Sequence, residues 1–158
     1  MRNKINHIIY TVLQLTWGIN QNILGILLFL ILTVINPTRK RMYYHGAIVS
    51  YWKFPFSMGL GMFIFFGHWQ QNEEYAKQVL VHEYGHTIQS IIVGPFFMHV
   101  VGLPSSIWAS LPIFEKWRKE GRYTYFDLFC ERWANYEGER ILGEPAVRER
   151  LTDKPDQK

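Results

Sequence analysis

From Ile8 to Ile35 the chain runs for 28 residues without a formal charge, and this run restricts the possible folds more than any other feature. As one straight helix it would reach about 42 Å at 1.5 Å per residue, beyond the roughly 30 Å hydrocarbon core of a bilayer. The polar group Asn20, Gln21 and Asn22, after Trp17-Gly18, divides the run. Ile8 to Trp17 then reads as interfacial and Ile23 to Ile35 as strongly apolar. The second piece is short for a span, so a tilted helix, a re-entrant hairpin and an ordinary span all stay open. No small-residue cleavage site follows; Pro37 and Thr38-Arg39-Lys40-Arg41 come next, which argues against a removed signal peptide. The expectation is a membrane-associated hydrophobic segment at 1–36, a domain at 37–150 and a frayed tail at 151–158. The three basic residues after the run, against Arg2 and Lys4 before it, predict that this domain faces the cytoplasm at the cytoplasmic membrane.

At 158 residues a single core is expected. The only cysteine, Cys130, excludes an internal disulfide, reads as a buried apolar side chain, and predicts no disulfide-linked partner. The net charge of +4 gathers at Arg39 to Arg41 and at Lys116, Arg118 and Lys119. In a chain this apolar, such clusters point to membrane lipid as the partner and away from nucleic acid.

The expected fold class is α+β, mostly helical, with a short β-hairpin or small sheet. Residues 47–53 and 58–66 are rich in β-branched and aromatic side chains and flank Phe54-Pro55-Phe56-Ser57, which predicts two short strands joined by a turn. Gly59 and Gly61 weaken the second as a packed strand but let another backbone approach closely. A helix follows, capped by Asn72, favoured by Glu73 and Glu74 at its positive end, and closed by Gly94-Pro95. Residues 95–113 are uncharged and hold three prolines, leaving a crossing or a surface hairpin open. The polar link EKWRKEGRYT then leads to an amphipathic helix from about Tyr125 to Leu142.

The helix capped by Asn72 contains VHEYGHTIQS. Helical residues four apart share a face, so the imidazoles of His82 and His86 can converge on one ion at roughly 2.0–2.1 Å. Glu83 points to the side where water activated by the metal would lie. This is H-E-x-x-H, in which the glutamate is the general base. Chance would supply the pattern roughly 0.014 times in a chain with six His and ten Glu. Val81, Tyr84, Ile88 and Ile91 on the opposite face anchor the helix, and mid-helix Gly85, which costs roughly 1 kcal/mol against alanine, calls for a packing or functional reason. A catalytic zinc usually takes three protein ligands, and no third histidine follows at the spacing His-x-x-Gly-x-x-His. In the last helix Asp127, Glu131 and Asn135 share a stripe with Glu139 at its edge. It is either a solvated face, or Glu131 completes the site and Asn135 accepts a hydrogen bond from the outer nitrogen of a ligating histidine.

HEYGH, with Glu131-Arg-Trp-Ala-Asn135 placed 45 residues after His86, resembles the gluzincin branch of zinc metallopeptidases. HEYGHTIQS with GPFFMHVVGLPSSIWA after it also resembles small bacterial membrane-associated peptidase-like proteins. The resemblance implies a zincin-like catalytic helix pair, Zn2+ bound by His82, His86 and Glu131, and catalysis by Glu83 on a peptide or protein substrate. It further implies an edge strand at residues 58–65, with Gly59 and Gly61, that pairs with the substrate backbone. Asn135 stands where many gluzincins carry aspartate. No transition-state donor matches the family, which leaves Tyr123, Tyr125, Tyr136 and His99 as the side chains to examine. Two other readings stand beside this one: an intramembrane protease of the site-2 type, and a non-catalytic membrane module that uses its metal structurally.

Overall fold

The computed structural model describes residues 6–67 and 72–149, so the tail expected at 151–158 lies outside the described residues. The N-terminal run folds as two helices, α1 (His7–Thr16) and α2 (Ile19–Ile35), bent by 95° at Trp17-Gly18. The break therefore falls just before the polar group expected to cause it. Gln21 and Asn22 lie inside α2 and are fully buried. Gln21 Nε2 donates to Ser90 Oγ at 2.7 Å, Gln14 Nε2 donates to the Thr87 carbonyl at 2.8 Å, and Asn22 Oδ1 accepts from Met62 N at 2.8 Å. These polar side chains cement α1 and α2 to the rest of the chain, since buried amides without partners would cost several kcal/mol. Residues 7–35, expected as a segment apart from the domain at 37–150, share its core, with Tyr10 fully buried among Val49, Ile64 and Tyr84. Among the described residues no single helix is long and apolar enough to cross a membrane.

The sheet has four strands, β1 (Arg41–Tyr44), β2 (Ala47–Tyr51), β3 (Met58–Leu60) and β4 (Phe63–Phe66), in the order β1-β2-β4-β3. Residues 58–66, expected as one strand, are two strands joined by a tight turn in which Gly61 has φ +61 and packs on Asn22. Because β3 takes the outer position, β4 returns parallel to β2, and the expected hairpin between 47–53 and 58–66 does not form. Every residue of β4 is buried, which explains its unbroken apolar sequence. Phe63 and Phe65 face Leu32 of α2 together with Trp52, while Ile64 and Phe66 face the core beneath the next helix.

That helix is α3 (Glu73–Val93), and both ends match the sequence expectation: Asn72 Oδ1 accepts from Tyr75 N at 3.0 Å, and Gly94 closes it at φ +58. A 3-10 turn (Gly94–Phe96), a π turn (Met98–Gly102) and α4 (Leu103–Ser110) then reverse the chain, bent by 117° from α3. The expected polar link is instead partly helix α5 (Pro112–Lys119), with proline in its first turn and an i,i+4 pair between Lys119 and Glu115 at 2.7 Å. A 3-10 turn (Tyr125–Asp127) leads into α6 (Phe129–Leu142), which packs along α3.

Gly85 lies directly against Ala134 of α6, and a Cβ added there would fall inside the Ala134 carbonyl. Reciprocally, a Cβ on Gly138 would fall inside the carbonyl of Val81. Two notches thus let the backbones of α3 and α6 touch. Gly85→Ala, which would stabilise an isolated helix by about 1 kcal/mol, is expected here to destabilise the protein by about 1–3 kcal/mol through overpacking. The midpoint of urea unfolding checks it, and Gly138→Ala should behave alike.

Candidate metal centre

The close crossing carries Glu131, in the first turn of α6, to the histidine face of α3. Glu131 Oε2 lies 3.1 Å from His82 Nε2 and 3.4 Å from His86 Nε2. One ligand atom from each of the three lies within 4.8 Å of the others, and all three residues are buried. Of the two sequence readings of the α6 stripe, Glu131 and Asn135 are fully buried and face α3. Asp127 caps the 3-10 turn at Thr124, and Glu139 accepts from Ala146 N and Arg148.

The hydrogen bonds behind the site fix the histidine tautomers. Asn135 Nδ2 donates to the Val147 carbonyl at 2.8 Å, so its Oδ1 faces His82 Nδ1 at 2.7 Å and must accept from it. Gln89 Nε2 donates to the Cys130 carbonyl at 2.7 Å, so its Oε1 accepts from His86 Nδ1 at 2.8 Å. Each Nδ1 therefore carries a proton, which leaves both Nε2 lone pairs turned toward the carboxylate. Glu131 Oε2 receives no hydrogen bond from the described residues. Three electron-pair donors converging in a buried space repel one another unless a cation sits among them. Two imidazoles and a carboxylate this close together can bind a metal ion.

Without a metal, a proton fills the same need. Burial would lower the His86 pKa, but the Glu131 carboxylate outweighs it and raises it to about 9. Burial would raise the pKa of Glu131, and His86 with His82 instead holds it well below the usual carboxylate range. The raised His86 contributes stability that is complete below its ordinary 6.5 and lost as pH climbs through about 9. The lowered Glu131 contributes above its ordinary 4.5 and loses this as pH falls through its folded value.

Glu83 is buried at the junction of two cavities, of about 100 and 50 Å3, that open on either side of it. Ser57 and Glu83 line both; Gly59, His86 and Ser105 line the larger, and His82, Tyr125 and Val147 the smaller. Strand β3 borders this cleft as the sheet's edge. Gly59 sits over α3, where an added Cβ would come within 3.1 Å of His86 Cβ and 3.7 Å of Glu83 Oε2. Gly61 lies in the turn, away from the cleft. Of the four side chains singled out for transition-state contact, Tyr125 alone lines either of these two cavities; its hydroxyl is 3.4 Å from Ser105 Oγ. Tyr123 packs on Trp108 and Trp117, while Tyr136 and His99 are exposed. Sequence reasoning missed Gln89, although its position three residues after His86 on the same helix was a readable signal. It also missed the strap at Ala146-Val147, which nothing local announces.

No protein-family model, curated protein or solved structure matches this chain.

Two outcomes follow from the geometry. Asn135→Ala and Gln89→Ala should each weaken zinc binding about 10–100-fold, read by competition with a chromophoric chelator. An ion bound at His86 would have to displace its proton, so zinc affinity should rise about tenfold per pH unit between 6.5 and 9, checked in the same assay.

Proposed function

We propose that this protein is a membrane-associated zinc-dependent peptidase. The observation that carries the reading is the convergence of His82 Nε2, His86 Nε2 and Glu131 Oε2 in tautomers fixed by Asn135 and Gln89. These three residues would hold the ion. When bound, zinc would polarise a carbonyl and lower the pKa of water toward neutrality. Glu83 takes a proton from the attacking water as the C–O bond forms. It then passes that proton to the amine as the C–N bond breaks. The outer edge of β3 offers its backbone N–H and C=O groups to an extended peptide lying in the cleft. Tyr125, which lines the same cavity as His82, would be the donor to a developing oxyanion.

Among the described residues no fourth His, Cys, Asp or Glu joins the cluster, which favours catalysis over a structural metal, whose sites are closed by four protein ligands. An intramembrane protease is less well supported, because α3 starts at a polar cap with Glu73 and Glu74 and is enclosed by β3, β4 and α6.

Glu83→Gln should retain one zinc per chain and lower cleavage of a quenched-fluorescence peptide library by about 10²–10⁴-fold. Glu131→Ala should lose the zinc, measured by metal analysis of the purified protein. Undiminished cleavage by Glu83→Gln would remove that carboxylate from the reaction.

A further inference from the structure

Residues 5–38 and 84–114 contain no Asp, Glu, Lys or Arg. The fold brings these two stretches side by side: Gln21 donates to Ser90 Oγ and to the Gly94 carbonyl, and the Trp17 ring fills the space beside Gly94. One side of the molecule is thereby free of formal charge.

This side is also apolar on its surface. Apart from His7, Thr16 and Asn20, every exposed residue of α1, α2 and the bend between them is apolar. Leu27, Ile31 and Val34 are 52, 56 and 81% exposed, and across the bend Phe96 and Leu103 are 62 and 55% exposed. Rotation cannot hide these groups. The inner face of α2 is committed, with Gly25 against Leu60 and Phe63 and Leu32 in the core below the sheet.

We infer that this charge-free side is a lipid-binding face that seats in one leaflet of an anionic bilayer, with α2 lying in the membrane plane. The inference rests on the membrane part of the proposed function and not on the metal. Seventeen residues give α2 a length of about 25 Å, short of a roughly 30 Å core. The 95° and 117° bends break both apolar helix pairs, so neither is a straight span. Cations stand at the border of the face. Exposed Arg41 donates to Thr33 Oγ1 of α2 at 3.0 Å and covers the Phe29 ring at 5.3 Å, with exposed Lys40 beside it in the chain. There they meet headgroup phosphates while the apolar side chains enter the acyl region. A second copy of the chain fits less well, since protein interfaces carry roughly one hydrogen bond per 100–200 Å2 and these two helices expose only three polar side chains. The segment 96–106 has the cleft on one side, through Phe97, Val101 and Ser105, and this surface on the other, which puts the cleft mouth beside the lipid.

The test is flotation of full-length protein with phosphatidylcholine vesicles, with and without phosphatidylglycerol, with circular dichroism as the fold control. Wild type should float with the anionic vesicles. Leu27→Glu combined with Ile31→Glu and Val34→Glu should reduce partitioning at least about a hundredfold with an unchanged spectrum. Lys40→Ala and Arg41→Ala should each cost roughly fivefold on anionic vesicles alone. Single thiols at His7→Cys and Thr38→Cys should both react with an impermeant maleimide added outside, native Cys130 being buried. Equal flotation of the triple variant, or a wild-type protein that dimerises and ignores vesicles, would overturn the lipid face. Protection of one thiol would overturn the in-plane seat. Zinc content of the same preparations reports on the metal separately.

Discussion

The centre depends on two helices touching at their backbones. Helices ordinarily pack with axes 8–10 Å apart, the side chains at the contact setting the spacing. At Gly85 and Gly138 there are none, and the carbonyls of Ala134 and Val81 occupy the vacated places. Every polar link across the pair depends on that approach. Glu131 reaches both imidazoles, Asn135 reaches His82 one turn further along, and Gln89 crosses the other way to the Cys130 carbonyl. Set farther apart, the same side chains would make an ordinary amphipathic seam. The glycines cost helix propensity and are repaid in position.

The site is organised from behind by amides. A carboxylate could accept from a histidine in either orientation, whereas an amide must be turned the right way round. Here each amide is turned by a backbone carbonyl that takes its N–H, Val147 for Asn135 and Cys130 for Gln89. The Val147 carbonyl is held in turn by its own chain, since Val147 N donates to Gln78 at 3.2 Å and Glu139 grips Ala146 and Arg148. An irregular C-terminal strap therefore determines which nitrogen of His82 is bare.

The local parts of this arrangement were legible in the sequence because they are written in spacing and caps. The i,i+4 pair of histidines, the Asn72 cap, the Gly94 stop and the Glu131–Asn135 stripe each follow from the 3.6-residue repeat alone. A small sheet was legible too, but its topology was not, because β4 is buried on both faces and merges with β3 into one apolar run, so the turn at Gly61 was hidden. Gln21 and Asn22 were misread as a break for a related reason. A polar residue inside an apolar stretch marks either an exposed interruption or a buried junction, and only the position of Thr87 and Ser90 decides between them. The charge-rich stretch before Gly121 looked like a link, although Pro112 and its i,i+4 pairs make a short helix.

The junction of Gln14, Gln21 and Ser90 also has a consequence for how the chain is made. The partners lie 69 to 76 residues apart. At 5–20 residues per second, α1 and α2 leave the ribosome roughly 4–15 s before the helix that satisfies their amides exists. During that interval two apolar helices carry polar groups whose partners do not yet exist, so the nascent chain exposes an aggregation-prone surface before Glu131, the last of the three candidate metal ligands, has been translated.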